Sequence, residues 1–491
     1  MSTGEPLRGP ATAEPRPSRP SRPRLALAAA VLLGVLALAS APAAADARTF
    51  LRGFGEPAFE NDSAAERAFW YDQSIRANSS IARINVSWRS VVGGGKPGQA
   101  ADPADLGYSF TRTDNAVSDA AARGQRILIT VFDAPEFAEG ANQPKDSDEG
   151  TWRPDPAALR EFAQALATRY SGSFVPLGAV GALPRVGYFE AWNEPNLSQY
   201  LTPQYTEGEN KQLSADLYRQ MLNAFYAGVK RSGSGAAVVA GATAPYGDPP
   251  GNTRTRPLRF LREVFCLNGK LKPTRCKDEA QFDVLSHHPI TLGKGPGYSA
   301  IHPDDAAMAD FDVVVDTLRA AEKQHTVRGP KRHPAWATEF WWETKPPDTG
   351  PSAVPVAKHA RWVEKSLHSL WRQGAEAAIY LRLQDDASQA DGIGGEQSGL
   401  FTHDKVEKLS FQAFRFPFVA ERVSKKKVNV WTIPPATGTL EIQAERGGDF
   451  TTIDRMDVSD DKPDQKKIEL RGKAKLRGLL GGEASLSYDV K

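Results

Sequence analysis

Two glutamates in this chain each end a short apolar run of strand character and stand beside aromatic residues. Glu194 ends the run that begins at Val186, and Glu339 ends the run that begins at Pro334. Hydrolysis of a glycosidic bond needs two such carboxyl groups: one protonated, to give a proton to the leaving oxygen, and one ionised, to attack or stabilise the anomeric carbon. These residues therefore indicate acid–base and nucleophilic chemistry on a sugar. The alternative is that both glutamates are structural and form ion pairs with arginines inside the fold.

The start of the chain has the layout of a secretory signal. Residues 1–24 are rich in Pro and Arg, Leu25 to Ala39 form an apolar run, and small residues up to Ala45 suit a signal-peptidase site. The apolar run is shorter than the roughly 20 residues that a membrane-spanning helix needs. We therefore expect residues 1–45 to be a signal peptide and the protein to be secreted or held at the cell surface. An uncleaved N-terminal anchor is the alternative.

Composition excludes some partners and suggests a disulfide. The formal net charge is +2 with mixed signs throughout, which gives no indication of nucleic acid. The two cysteines, Cys266 and Cys276, are expected to form a disulfide in an exported chain, two free thiols being the alternative. Two cysteines without a paired His cluster do not make a zinc site, and we expect no cofactor and no metal.

From residue 46 to 422, strand-like segments alternate with helix-like segments. The strand-like segments are apolar runs in which apolar and polar residues do not strictly alternate, as is typical of a parallel sheet covered on both faces. Eight βα units favour an α/β fold, a (β/α)8 TIM barrel, over a doubly wound open sheet, because no Gly-rich phosphate turn follows the first strand. The eight predicted strands are Phe50–Phe54, Ser80–Trp88, Arg126–Phe132, the run ending at Glu194, Ala236–Ala242, Phe282–His287, the run ending at Glu339, and Ala377–Leu383.

The pattern changes near Val423. Strict alternation of apolar and polar residues begins, as in Leu440, Ile442 and Ala444, and turn signals such as Gly447–Gly448 separate the runs. Residues 423–491 are therefore predicted to form a small C-terminal antiparallel β domain. This domain either binds glycan or packs against the barrel to stabilise it, and we favour the packing role.

The two glutamate motifs together resemble those of the clan A glycoside hydrolases, the retaining TIM-barrel glycosidases that include families 5 and 39. Trp192-Asn-Glu-Pro-Asn196 is similar to the Asn-Glu-Pro that carries the acid/base at the end of strand 4 in that clan, and Thr338-Glu-Phe340 to the nucleophile motif at the end of strand 7. The resemblance covers roughly residues 50–418. It implies that Glu194 is the acid/base and Glu339 the nucleophile.

Further residues match the clan by position. Asn193 matches the asparagine that hydrogen-bonds the sugar 2-hydroxyl, and Arg83 resembles the arginine beside the nucleophile, where a guanidinium favours the ionised carboxylate. His288 resembles the histidine of a His-Pro-Tyr segment after strand 6. The chain departs from the clan at Ile290, where the clan has Tyr, and at Leu381, where it often has Trp.

Other residues are weaker candidates for substrate binding. Flat rings stack on sugar faces, so Trp341 or Trp342 could form a sugar platform, but buried Trp is commonly core. Asp385, which follows strand 8, is a candidate subsite ligand. Asp133, which follows strand 3, is expected to cap a loop. His287 is either a satisfied core histidine or part of the site.

These features together predict a secreted hydrolase: a retaining glycosidase that cleaves O-glycosidic bonds of a poly- or oligosaccharide by double displacement. Polysaccharide degradation or other carbohydrate metabolism would then be its role, and its partner a carbohydrate substrate. One alternative is a non-catalytic carbohydrate-binding or cell-surface protein on the same fold, favoured by Ile290. The other is an envelope-glycan transglycosylase with the same catalytic residues.

Overall fold

The computed structural model describes residues 50–491 except 94, 207–210, 347, 388–395 and 461. These residues belong to one compact unit. The predicted signal peptide, residues 1–45, lies outside the described residues. Within the described part of the chain, no helix combines the length and the apolar character needed to cross a membrane.

Eight parallel strands close into a barrel in which each strand pairs with its neighbours in chain order and the first also pairs with the eighth. The predicted TIM barrel is confirmed. The strands are β1 (Leu51–Phe54), β2 (Ile81–Ser87), β3 (Arg126–Phe132), β4 (Tyr188–Ala191), β5 (Ala237–Thr243), β6 (Val284–His287), β7 (Ala335–Phe340) and β8 (Ala377–Tyr380).

Helices surround the barrel, and local sequence explains where several begin. Ser63 caps the first helix by accepting the amide of Glu66, and Asp155 caps the fourth by accepting the amide of Ala157 at 2.8 Å. The helices are α1 (Ala64–Arg76), α2 (Trp88–Val92), α3 (Thr111–Ala122), α4 (Pro156–Arg169), α5 (Ser214–Arg231), α6 (Pro257–Val264), α7 (Phe311–Gln324), α8 (Val356–Arg372) and α9 (Leu409–Arg415).

The barrel interior changes from apolar to polar along its axis. Leu51, Ile81, Leu128 and Trp336 belong to a small apolar cluster in the interior. Two residues further along β2 and β3, Arg83 and Thr130 also point inward, because side chains alternate along a strand. Buried charges must be paired to be tolerated. The polar layer therefore has to be a connected network, and it lies towards the strand ends where barrel active sites are built.

Two predicted strand ends are wrong by three residues. β4 stops at Ala191, not at Glu194, because Trp192 and Glu194 adopt left-handed backbone conformations, with φ of 77° and 39°. β8 stops at Tyr380, not at Leu383. The amide of Leu383 donates to the buried carboxylate of Glu56 instead of continuing the strand.

The C-terminal antiparallel β domain is confirmed. Its strands are β9 (Phe418–Ser424), β10 (Lys427–Thr432), β11 (Gly438–Arg446), β12 (Asp449–Val458), β13 (Asp464–Glu469), β14 (Ala474–Leu480), β15 (Glu483–Ala484) and β16 (Tyr488–Val490). They form a sheet β9-β10-β13 and a second sheet in which β11 lies between β12 and β14.

This domain packs against the last two barrel helices. Trp431 is buried against His368 and Trp371 of α8, with ring centroids 5.0 and 5.9 Å away. Arg415 of α9 pairs with Glu483 at 2.7 Å. These contacts favour the packing role for the domain.

The predicted disulfide between Cys266 and Cys276 is confirmed, with Cα atoms 5.8 Å apart. It closes the loop that follows α6. A backbone hydrogen bond from Thr274 to the carbonyl of Cys266, 2.7 Å long, tightens the same loop.

Candidate active site

Four barrel strands bring the predicted site residues to one end of the barrel. Arg83 lies in β2, Asn193 and Glu194 follow β4, His288 directly follows β6, and Glu339 is the fifth residue of β7. They meet because the C-terminal ends of parallel barrel strands share one rim. Trp341, Trp342 and Asp385 also lie near this rim, but their environments differ, as described below.

The turn after β4 aims Glu194 across the barrel. The left-handed conformations at Trp192 and Glu194 are unusual for such residues and need support from their surroundings. The amide of Glu194 donates to the carbonyl of Ala242 at 3.0 Å, and the indole N–H of Trp192 donates to the carbonyl of Tyr200 at 2.7 Å. These bonds hold the strained turn in place.

Arg83 connects the two sides of the site. Its Nη1 donates to Glu339 Oε2 at 3.0 Å, and its Nη2 donates to Asn193 Oδ1 at 2.8 Å. Its Nε donates to Thr130 Oγ1 at 2.9 Å and faces Glu190 Oε2 at 3.3 Å. A guanidinium in this position fixes the plane of the Glu339 carboxylate and gives it a charged hydrogen bond.

Glu190 supports Arg83 from inside the barrel. It is fully buried, and its Oε2 accepts from Thr130 Oγ1 at 2.6 Å while its Oε1 accepts from Ser286 Oγ at 2.7 Å. Both oxygens of Glu190 are thereby bonded, which a buried ion pair requires if it is to be tolerated. The sequence placed Glu190 on a strand but indicated no partner for it.

Glu194 and Glu339 face each other across His288. His288 Nδ1 lies 2.9 Å from Glu194 Oε1 and 3.8 Å from Glu339 Oε2. One oxygen of each carboxyl and this ring nitrogen all lie within 4.8 Å of one another. Retaining glycosidases hold their carboxyls about 5–5.5 Å apart, whereas inverting enzymes need room for a water molecule between substrate and base. The short separation fits direct attack by a carboxylate.

The two carboxyls have different surroundings. Burial is the main cause that raises the pKa of Glu194; the nearby Glu339 raises it further, and His288 and Arg83 oppose the shift. A raised pKa keeps a carboxyl protonated and able to donate. Because Oε1 is hydrogen-bonded to His288 Nδ1, the other oxygen of Glu194 is available for the proton that is transferred. Glu339, in contrast, receives a charged hydrogen bond from Arg83.

The departure at Ile290 leaves no hydroxyl at that position. Ile290 is 8 % exposed and has no polar side-chain atom to offer. Among the described residues, Arg83 is the group that donates a hydrogen bond to Glu339. Tyr200, in the loop after β4, is a site residue that the sequence did not indicate. Burial and the negative charges of Glu194 and Glu339 raise the pKa of its hydroxyl.

Two residues predicted to bind substrate are engaged elsewhere. Trp342 is 1 % exposed, and its indole N–H donates to Thr291 Oγ1 and to the carbonyl of Lys294. A ring buried in this way cannot stack on a sugar. Asp385 is buried against Lys408, 2.7 Å away, and is a structural ion pair. We therefore leave both out of the proposed site; Trp341, half-buried after β7, stays a candidate platform.

Two further residues near the rim have structural roles. Asp133 accepts from Ser87 Oγ at 2.6 Å and pairs with Arg89, so it braces the loop after β3. His287 lies in the core, with Nδ1 bonded to Thr243 and Nε2 to the carbonyl of Ala306. Burial lowers its pKa to about 3, so it stays neutral.

Glu194, His288 and Glu339 have the spacing of possible metal ligands. The Arg83 guanidinium, 3.0 Å from Glu339, supplies a positive charge to the same carboxylate. A cation bound there would be repelled at short range. The donor set therefore fits acid–base chemistry better than a metal site.

No protein-family model matches the sequence, and no curated protein sequence matches it. Among solved structures, a family 39 glycoside hydrolase from the gut symbiont Bacteroides cellulosilyticus WH2 is similar, with a TM-score of 0.52 and 18 % identity over 85 % of this chain and 80 % of that one. A glucosidase from Croceicoccus marinus has a TM-score of 0.47 and 16 % identity, over 84 % of this chain and 80 % of that one.

GH5_18 from Streptomyces cattleya, solved in complex with GlcNAc, has a TM-score of 0.47 and 14 % identity, over 75 % of this chain and 79 % of that one. At these identities, the likeness to the family 39 enzyme shows the fold. Together with the closed parallel barrel, it confirms the fold that the sequence predicted from its eight βα units: this chain has a TIM-barrel fold, similar to that of a family 39 glycoside hydrolase.

Proposed function

We propose that this protein is a retaining glycoside hydrolase that cleaves an O-glycosidic bond of a poly- or oligosaccharide. The observation that carries the proposal is the facing pair Glu194 and Glu339, whose carboxyl oxygens lie within 4.8 Å of each other in different electrostatic surroundings. Burial favours the protonated form of Glu194, and Arg83 gives Glu339 a charged hydrogen bond. The first surrounding suits a general acid, and the second holds a nucleophile in place.

In the first step, a carboxylate oxygen of Glu339 attacks the anomeric carbon, and the bond from that carbon to the leaving oxygen breaks. Glu194 gives its proton to the leaving oxygen, so the leaving group departs as a neutral alcohol. The product is a glycosyl ester of Glu339. Asn193, held by Arg83 Nη2, is oriented to hydrogen-bond a hydroxyl of the reacting sugar.

In the second step, Glu194 is ionised and takes a proton from water. The resulting hydroxide attacks the anomeric carbon, and the ester bond to Glu339 breaks. The sugar leaves with its original anomeric configuration, and both carboxyls return to their starting protonation states. His288 keeps Glu194 in the same orientation through both steps by its hydrogen bond to Oε1.

The site works, on this proposal, outside the cytoplasm. The N-terminal segment supports export, and the Cys266–Cys276 disulfide suits an oxidising compartment. No cofactor is needed for either step. Trp341 is the proposed sugar platform, since its ring is half-buried directly after β7.

Two other functions use the same fold. A carbohydrate-binding protein without activity is suggested by Ile290, and glycan binding without cleavage would favour it. A transglycosylase would use the same two glutamates and pass the glycosyl group to a sugar instead of water. Analysis of the products distinguishes a transglycosylase from a hydrolase, because a transglycosylase would release longer oligosaccharides as well as shorter ones.

The test uses the purified mature chain on a panel of polysaccharides and 4-nitrophenyl glycosides. Glu339→Gln should abolish turnover. Glu194→Ala should cleave only activated aryl glycosides, and sodium azide should accelerate it by attacking the glycosyl ester in place of the activated water. Glu136→Gln, which removes an exposed carboxyl from the loop after β3, is the matched control. Near-normal hydrolysis by Glu339→Gln would overturn the proposal.

A further inference from the structure

A cavity opens at the barrel rim, where β2 and β3 end. Its volume is about 900 Å³, which lies within the range of sites for small organic ligands. It lies between the ends of β2 and β3, the loop after β1 and the start of α3. We call it the β2–β3 cleft. Its lining includes Glu60, Asn85, Ser87, Ser90, Arg112 and Phe132.

The β2–β3 cleft adjoins the network around Arg83. Asn85 is two residues beyond Arg83 on β2, so both side chains face the barrel interior. Asn85 also pairs in register with Thr130, whose hydroxyl accepts from Arg83 Nε at 2.9 Å. One step further out, Ser87 pairs with Phe132, and both line the cleft. The cleft wall therefore continues the inner wall of the proposed active site.

Two polar groups in the cleft are available to a ligand. The side-chain amide of Asn85 is half-buried and makes no hydrogen bond to any described residue. An amide both donates and accepts, which suits a sugar hydroxyl. Glu60 uses Oε1 to accept the backbone amide of Asn85 at 2.8 Å, which leaves its other oxygen without a partner among the described residues.

The charges of the cleft favour an uncharged ligand. Arg112 is paired with Asp62 through hydrogen bonds to both carboxylate oxygens, 3.1 and 3.0 Å long, so its charge is already compensated. Glu60 is the remaining acidic group of the lining. Burial raises its pKa to about 7, with Arg112 and Arg83 opposing the shift. A sugar carboxylate would be repelled by the ionised form of Glu60, whereas hydroxyls can bond to either form.

We propose that the β2–β3 cleft is a sugar-binding subsite next to the reacting sugar, and that the substrate is an oligosaccharide of uncharged sugars rather than a single-sugar glycoside. Asn85 and Glu60 bind hydroxyls of the neighbouring unit, and the half-buried ring of Phe132 offers it an apolar surface. This inference rests on the proposed glycosidase function, and the experiment below separates the failure of one from the failure of the other.

The test compares kcat/KM for matched pairs of 4-nitrophenyl glycosides, one sugar unit against three of the same sugar, for glucose, xylose, mannose and galactose. For the sugar that wild type cleaves, its kcat/KM should be at least about tenfold higher for the trisaccharide than for the single-sugar glycoside. One or two additional hydrogen bonds account for a ratio of this size. Asn85→Ala should lower this ratio by about tenfold. Ser90→Trp, which fills the cleft from an exposed position on α2, should do the same.

Lys323→Trp makes a similar change at an exposed position in the last turn of α7 and should leave the ratio unaltered. If wild type cleaves none of the pairs nor any polysaccharide, the proposed function fails and the inference fails with it. If it cleaves one sugar and three equally well, or both cleft variants keep the wild-type ratio, the inference alone fails. Faster cleavage of a uronic-acid trisaccharide than of every uncharged one would also overturn it.

Discussion

Glu190 Oε2 lies 3.3 Å from Nε of Arg83, so a fully buried carboxylate holds the arginine that also hydrogen-bonds the proposed nucleophile. The guanidinium is thus shared between an inner carboxylate and the outer one, Glu339. When one guanidinium pairs with two carboxylates, it stabilises each of them less than it would stabilise a single partner. Glu190 therefore both orients Arg83 and moderates how strongly Arg83 stabilises the charge of Glu339.

Replacing Glu190 by Gln should distinguish a role in positioning Arg83 from a role in stability alone. The variant keeps the shape of the side chain but removes its negative charge, so that Arg83 interacts more strongly with Glu339. We expect kcat to fall with little change in KM, because a carboxylate that is more strongly stabilised by Arg83 is a weaker nucleophile. Stability should fall by about 3 kcal/mol or more, since a buried pair is broken.

The measurement is of kcat and KM together with thermal unfolding. Ser286→Ala, which removes one hydrogen-bond donor to Glu190 and keeps its charge, is the matched control and should keep a kcat close to that of wild type. A Glu190→Gln variant that is less stable but has an unchanged kcat would show that Glu190 has only a structural role.

His288 should set the upper pH limit of activity. Its hydrogen bond to Glu194 lowers the pKa of that carboxyl against the larger raising effect of burial. His288→Phe keeps a ring and removes the donor, so the pKa of Glu194 should rise. The proton is then retained to higher pH, and the basic limb of kcat/KM should move upward while the maximum rate falls at least about tenfold.

For this comparison, His403→Phe serves as control because His403 is exposed in the loop before α9. It should retain the wild-type profile. A basic limb that stays in place, or moves to lower pH, in His288→Phe would contradict the account of how Glu194 is held.

Several features of the fold follow from the sequence because they depend on local pattern. The apolar runs at Arg126–Phe132 and Ala377–Tyr380 lack strict alternation, as expected for strands covered on both faces. Asn193 and Glu339 meet because both lie near the ends of barrel strands, and the long side chain of Arg83 reaches them from inside β2. Once the strand order is known, their convergence requires no further information.

Other features depend on contacts between distant residues. Asp385 is paired with Lys408, and nothing near Asp385 in sequence indicates that partner. Trp342 is buried while its neighbour Trp341 is not, although both are equally suited to a sugar platform. The end of β4 depends on positive φ angles at Trp192 and Glu194, which these residue types rarely adopt. Tyr200 reaches the site through a loop without a motif.

The contact between α8 and the C-terminal domain should make the protein sensitive to acid. Burial lowers the pKa of His368 to about 4, while the same histidine in the unfolded chain titrates near 6.5. Between those values the unfolded state binds the extra proton, so stability is lost as pH falls. For this one residue the loss from pH 7 to pH 5 is about 2 kcal/mol.

His368→Phe should preserve the ring packing on Trp371 and Trp431 and remove this titration. The free energy of unfolding, measured by denaturant titration at pH 7 and pH 5, should therefore fall less in the variant than in wild type. His403→Phe, at an exposed site, again provides the control. An equal loss in His368→Phe and wild type would rule out His368 as a source of the acid sensitivity.

The most direct test of the central claim is to trap the glycosyl ester of Glu339. A 2-deoxy-2-fluoro glycoside of the cleaved sugar, with an activated leaving group, slows the second step and lets the intermediate accumulate. Mass spectrometry of the intact protein should show the addition of one fluoroglycosyl group, and peptide mapping should locate it on Glu339. An adduct on another residue, or inversion of the anomeric configuration in the hydrolysis product, would contradict the account.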